Sequence, residues 1–242
     1  MMKNAPVAWT TEGDRPLNMA NDAKGAHEHA NWQPYDFNAG TVLAIAGSDF
    51  VIMAADTRLS SGYSILSRNE TKLHALTPTC VLGAPGSHND VIQLRGTLDI
   101  RAQMYRHDNG CSPSIGSLAQ LLMNTLYGRR FFPYYAFCLL GGIDANGKGV
   151  LYSYDAVGSH DNVTRGAMGS GGQLMIPLLD NLVEHQTRSD PKRELTIQET
   201  KEIIKDAFVT AGERDIYTGD SVEIMTITAA GIAKEMFQLK KD

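Results

Sequence analysis

Thr41-Val42-Leu43-Ala44-Ile45-Ala46-Gly47-Ser48-Asp49-Phe50-Val51-Ile52-Met53-Ala54-Ala55 holds two β-rich runs around a three-residue turn cluster. That spacing predicts a hairpin. Both runs are apolar at nearly every position, not at every second one, so both faces of each strand are expected to be buried. Sheets held between two other layers read this way.

Working downstream, extended stretches over Tyr63 to Leu76 and Cys80 to Ala84 are expected to continue the same sheet. Val91, Leu94, Leu98 and Tyr105 then recur at helical spacing. Ile115, Leu118, Leu122 and Leu126 do so again behind Ser112-Pro113, read as N-cap and first helical residue. A second hairpin runs from Tyr134 to Ile143 and from Gly149 to Asp155, turning at Asn146-Gly147. The bend Gly169-Ser170-Gly171-Gly172 opens a short helix ending near Val183. Thr196-Ile197-Gln198-Glu199 is a capping box for a helix to about Glu213. Between them His185 to Glu194 reads as a charged surface loop. Val222 to Thr228 and Ile232 to Leu239 form a last hairpin turning at Ala230-Gly231.

Strands, two helices, strands, two helices, strands is the order of two stacked sheets with helices on each outer face, an α+β, four-layer αββα sandwich. A doubly wound parallel fold would alternate strand and helix one by one. Upstream, residues 1–30 carry only scattered apolar side chains and cannot offset the entropy of ordering, so they read as a flexible leader. Aromatic residues from Trp32 to Phe37 begin a single domain over 31–242.

Composition narrows the function. A net charge of -5 with no long Lys/Arg run removes the electrostatic footprint needed for nucleic acid or an anionic membrane surface. No apolar run reaches the ~20 residues that span a bilayer, and the leader lacks a secretory signal's apolar centre. Cys80, Cys111 and Cys138 are odd in number without metal-like spacing, which reads as reduced thiols in cytoplasm or nucleus. No cofactor or metal is expected: the glycines at 169, 171 and 172 are not followed by Gly-Lys-Ser/Thr, and the one suggestive histidine spacing, His27-Glu28-His29, lies in the leader.

Gly40-Thr41 opening the first strand, Ala55-Asp56-Thr57-Arg58 closing the second, Lys72, Ala84-Pro85-Gly86, the bend at 169 to 171 and Glu213 to Asp220 occur in an order that resembles the proteasome β subunits. These are a branch of the N-terminal nucleophile hydrolases. Arg129-Arg130-Phe131-Phe132-Pro133-Tyr134-Tyr135, Tyr152-Ser153-Tyr154-Asp155 and Val157-Gly158-Ser159 narrow the resemblance to the branch at the sixth position of the eukaryotic β ring. It implies a structural subunit of the 20S particle that degrades proteins. The implied partners are other β subunits of the same and the opposite ring, the α ring and assembly chaperones. It also implies removal of the leader, expected between Ala30 and Gln33.

Active members of the family attack with an N-terminal threonine whose free amine helps move the proton, assisted by a lysine and an aspartate. Gly40-Thr41 matches the bond they cut in themselves, and Thr41 as nucleophile is the alternative reading. Family spacing places the aspartate sixteen and the lysine thirty-two residues after the nucleophile, whereas Asp56 and Lys72 lie fifteen and thirty-one after Thr41. Both distances fit Gly40 instead, which has no side chain to attack with. Alternation along a strand then turns Thr41 away from Lys72, unless a β-bulge before Asp56 restores the register. Gly172, where active members place a serine, is a second departure. Gly40, Asp56, Lys72, Asp215 and Thr218 therefore read as relics, with Asp56, Lys72 and Asp215 expected to form a partly buried charge cluster.

Overall fold

The computed structural model describes residues 35–185 and 187–240, together with two short strands, β1 (Ala8–Trp9) and β2 (Pro16–Leu17), which pair antiparallel. The chain divides into two compact units, 1–36 and 37–242. Most of the leader read over residues 1–30, with its histidine pair and its expected cut, lies outside the described residues.

In the larger unit one sheet has the order β12-β3-β4-β13-β14. It contains β3 (Thr41–Ala46), β4 (Phe50–Asp56), β12 (Arg165–Gly169), β13 (Ser221–Thr228) and β14 (Gly231–Gln238). The second has the order β11-β10-β9-β8-β7. It contains β7 (Leu73–Thr77), β8 (Cys80–Gly83), β9 (Leu139–Ile143), β10 (Gly149–Tyr154) and β11 (His160–Val163). Every neighbouring pair in both sheets is antiparallel. The helices are α1 (His88–Asn109), α2 (Ile115–Tyr127), α3 (Gly172–Leu179), which continues into a π-turn over Asp180–Glu184, and α4 (Ile197–Gly212).

Strand alternation sorts the core into three seams. Val42, Ala44, Val51 and Met53 face Leu73, Val81, Leu139 and Leu151 between the sheets. Leu43, Ile45, Ile52 and Ile224 face the other way, against Met175, Leu179, Ile204 and Phe208 of α3 and α4. Leu82, Leu140 and Tyr154 pack outward on Leu94 and Leu98 of α1 and Leu118 and Leu122 of α2. The result is the αββα sandwich. It explains why β3 and β4 read as continuous apolar runs: both faces of each strand meet another layer.

Several elements differ from their sequence reading. Cys80 to Gly83 and Leu73 to Thr77 belong to the second sheet, not to the one begun by β3. The stretch from Tyr63 to Leu76 is broken: β5 (Leu59–Ser61) and β6 (Ser64–Ser67) form a separate two-stranded ribbon, its Tyr63 tip almost wholly exposed. Helix α2 is capped by Ser114, whose Oγ accepts from the Ser117 N–H at 3.1 Å, so Pro113 precedes the cap. Tyr105 lies on the exposed side of α1, and Ala102 takes the buried position one turn after Leu98. The strand expected from Tyr134 begins only at Leu139. β11 and β12 went unread because both are edge strands, polar or glycine-rich, with no apolar alternation to reveal them.

Candidate functional site

β3 starts at Thr41 directly after two residues with left-handed backbone, Ala39 (φ 58°) and Gly40 (φ 83°). The β3–β4 ladder runs from Ala46↔Val51 to Val42↔Ala55 without a shift, so no bulge intervenes and Thr41 comes opposite Asp56. The Thr41 N–H donates to Asp56 Oδ1 at 2.7 Å. Lys72, one residue before β7, reaches the same carboxylate at 3.1 Å and donates to the carbonyls of Asp56 and Arg58, both at 2.7 Å. All three ammonium protons are thereby used. Both side chains are buried, and burial pushes the Asp56 carboxyl above its ordinary range against the opposing pull of the Lys72 ammonium and the Thr41 N–H.

Position 40 is the one aimed at the lysine. A Cβ built on Gly40 would lie 2.1 Å from Lys72 Cε, 2.6 Å from Lys72 Nζ and 3.0 Å from Asp56 Oδ1. Thr41, next along the strand, is fully buried and engaged elsewhere. Its Oγ1 accepts from the Gly171 N–H at 2.8 Å and lies 2.7 Å from Thr218 Oγ1. Thr218 gives its own proton to Asp215 Oδ2 at 2.6 Å, so the Thr41 hydroxyl is the donor to Thr218. The hydroxyl is thus used in both directions, tying the start of β3 to the bend before α3 and the turn before β13.

The sequence-derived positions accordingly fall into two groups. Gly40, Asp56 and Lys72 meet directly. Asp215 and Thr218 form a neighbouring cluster reached through Thr41. The expectation of one charge cluster needs correcting: Asp215 is bonded to hydroxyls, those of Ser170 (2.6 Å) and Thr218, while Asp56 and Lys72 pair with each other and are fully, not partly, buried. Gly172 opens α3, and a Cβ there would stand 3.0 Å from the Ala167 carbonyl oxygen. Beside the cluster a pocket of about 310 Å³ is lined by Phe37, Tyr135, Phe137, Met168, Ser170 and Ile176.

Four contributors were missed in the sequence. Ser170 donates to Asp215 through its side chain and to the Gly40 carbonyl through its N–H at 3.1 Å. Arg58 donates to Asp220 (2.8 Å) and to the Ile216 carbonyl (2.9 Å), which fixes the turn carrying Thr218. Asn38 bonds the segment before β3 to the N-terminus of α1. Arg58 and Asp220 stand inside quoted motifs, yet nothing in linear spacing says that an arginine and an aspartate 162 residues apart will pair. Among the described residues no group of His, Cys, Asp and Glu is placed to hold a metal, and no helix is long and apolar enough to cross a membrane.

Comparison with known proteins agrees with this geometry. The family model described as proteasome subunit matches residues 37–227. Proteasome subunit beta type-1 of Arabidopsis thaliana is 49% identical over 220 residues, covering 89% of this chain and 99% of that protein. The protein of that name from Danio rerio is 45% identical over 219 residues (90% and 92%), and that from Drosophila melanogaster 44% over 218 residues (89% and 93%). Since the match runs from Phe37, ahead of β3, to Ile227 in β13 and so takes in every residue of the cluster, this chain belongs to the proteasome subunit family, among its β subunits.

Proposed function

We propose that the chain is a non-catalytic structural subunit of the 20S proteasome β ring, supporting assembly of the particle that degrades proteins. One observation carries this: the backbone position directed at Lys72 is a glycine, while the hydroxyl next along the strand, that of Thr41, is buried and bonded to Gly171 and Thr218. A nucleophile must reach both its base and its substrate. Thr41 faces neither the lysine nor solvent.

Apolar side chains left on the surface favour a part within an assembly. Phe131 is 99% exposed and Tyr127 and Phe132 are each more than half exposed, at the end of α2 and on the turn after it. An isolated domain seldom leaves so many aromatic rings in water. The partners proposed are β subunits of the same and the opposite ring, the α ring and assembly chaperones, and the compartments are cytoplasm and nucleus. Purified particles carrying Thr41→Ala test the reading. Unchanged peptidase activity per particle, with a mature chain that begins upstream of Gly40, is the expected result. Loss of one activity, with a wild-type chain beginning at Thr41, would identify an active threonine peptidase instead.

A further inference from the structure

The segment ahead of β3 is fastened at Phe37, Asn38 and Gly40. Phe37 sets its ring edge-on to Tyr135, with centroids 5.7 Å apart and planes at 88°. Asn38 is held through both its backbone and its side chain. Its N–H donates to the Gly86 carbonyl at 3.1 Å, and its carbonyl accepts from the Ser60 N–H at 3.3 Å. Its side-chain amide donates to the Ser60 carbonyl at 3.3 Å, and its Oδ1 accepts from the His88 N–H at 2.8 Å. The last of these serves the first N–H of α1, one of the four at a helix start that have no partner within the helix, and the N-cap Ser87 makes no side-chain bond to that turn. Asn38 thus caps, from 50 residues away, the first turn of α1. Beyond it the Gly40 carbonyl accepts from the Ser170 N–H, and all residues from Asn38 to Thr41 are buried.

We propose that Phe37–Gly40 is a strap built into the fold, which holds the relic site shut by architecture and not only by the absence of a hydroxyl. The inference rests on the non-catalytic reading and goes beyond it: a single substitution at position 40 does not make an enzyme. An N-terminal nucleophile needs the preceding peptide cut away and its α-amine free. Here the preceding residue, Ala39, is buried between an anchored asparagine and a bonded glycine. The backbone at position 40 has φ 83°, a region that β-branched residues avoid. Lys72 already fills the space of a Cβ at that position, and its three protons are taken by Asp56 and Arg58.

The experiment uses assembled particles carrying Gly40→Thr, probed with a peptide epoxyketone, which reacts only where a threonine hydroxyl and its own free amine stand together. N-terminal sequencing of the chain accompanies it. The strap predicts a chain still beginning upstream of Phe37 and no label on it. A labelled chain beginning at residue 40 overturns the strap, whereas label on the wild-type chain, beginning at Thr41, overturns the non-catalytic reading beneath it. Should Gly40→Thr fail to assemble, hydrogen exchange on wild-type particles decides. The amides of Asn38, Ser60 and His88 are expected to exchange as slowly as those of β3, with Asn38→Ala releasing that of His88. Exchange of all three at the rate of an exposed loop removes the strap.

Discussion

Arg58 and Asp220 are joined Nε to Oδ2 at 2.8 Å, with side chains only 3% and 1% exposed. The pair locks the end of β4 to the turn that delivers Thr218, and Arg68 approaches the second carboxylate oxygen from a half-exposed position. Burial alone would raise the Asp220 carboxyl, but the two guanidinium groups outweigh it and hold the group below the ordinary carboxylate range. A depressed carboxyl contributes stability that is present above its unfolded value of about 3.8 and is lost as pH falls through the folded one. Asp220→Asn should therefore lower stability at pH 7 by about 3 to 5 kcal/mol, since it takes the carboxylate away from a buried ion pair, and should flatten the loss seen below about pH 4. Pulse proteolysis in urea, following this chain, reads both effects. An unaltered acid limb would show that Asp220 does not set it.

His74, on β7, gives a second and separate window. Its ring is buried, and that burial, with the nearby Arg95 and His88 charges, brings its pKa from 6.5 down to about 4. The folded chain keeps this ring neutral while the unfolded chain protonates it, so stability falls as pH drops from about 6.5 to about 4. At about 1.4 kcal/mol for each pH unit the loss reaches up to about 3 kcal/mol. His74→Gln should remove most of that slope without altering the limb below pH 4. Denaturation midpoints at pH 7, 5.5 and 4.5 suffice, and parallel profiles for the two proteins would count against the assignment.

Lys72 is expected to matter for folding and not for peptide hydrolysis. Its ammonium satisfies two backbone carbonyls as well as the Asp56 carboxylate. Lys72→Ala leaves all three acceptors buried without it. Breaking a buried pair in this way typically costs about 3 to 5 kcal/mol, a large share of the ~5 to 15 kcal/mol that holds a domain together. Particle yield should drop while peptidase activity per assembled particle stays the same. The reverse pattern, full yield with one activity gone, would mark the lysine as a working base.

Much of this was legible because the informative residues act through local rules. Two continuous apolar runs around a short turn cluster signal the hairpin of β3 and β4, and Thr196 and Glu199 form the capping box that their spacing announces. The aspartate and lysine spacing that the resemblance implies singled out Gly40, not Thr41, as the position directed at Lys72, and the unbroken β3–β4 ladder agrees with it. What escaped depends on distance in the chain. Ser170 reads only as part of the bend that opens α3, yet it lies 2.6 Å from Asp215, and Asn38 carries no signal of its own, yet it accepts from the first N–H of α1. Edge strands such as β12 bury too little on one face to write a period into the sequence.

Thr41 is the residue on which the two functional readings part. In the structural reading its hydroxyl is a tie between three segments, donating to Thr218 and accepting from Gly171. Thr41→Val keeps the shape and the β-branch but removes both bonds, leaving the Gly171 N–H and one side of Thr218 Oγ1 buried without a partner. Each buried group so stranded costs about 1 to 3 kcal/mol. Thr41→Ser retains the hydroxyl and should recover most of that loss. Stability should thus follow wild type, then Ser, then Val, while peptidase activity per particle is the same for all three. A catalytic Thr41 makes a different prediction: Val abolishes one activity outright, because no hydroxyl remains to attack. Activity per particle and urea midpoints measured on the same three preparations separate these outcomes, since a structural tie moves only the midpoint and a nucleophile moves the rate.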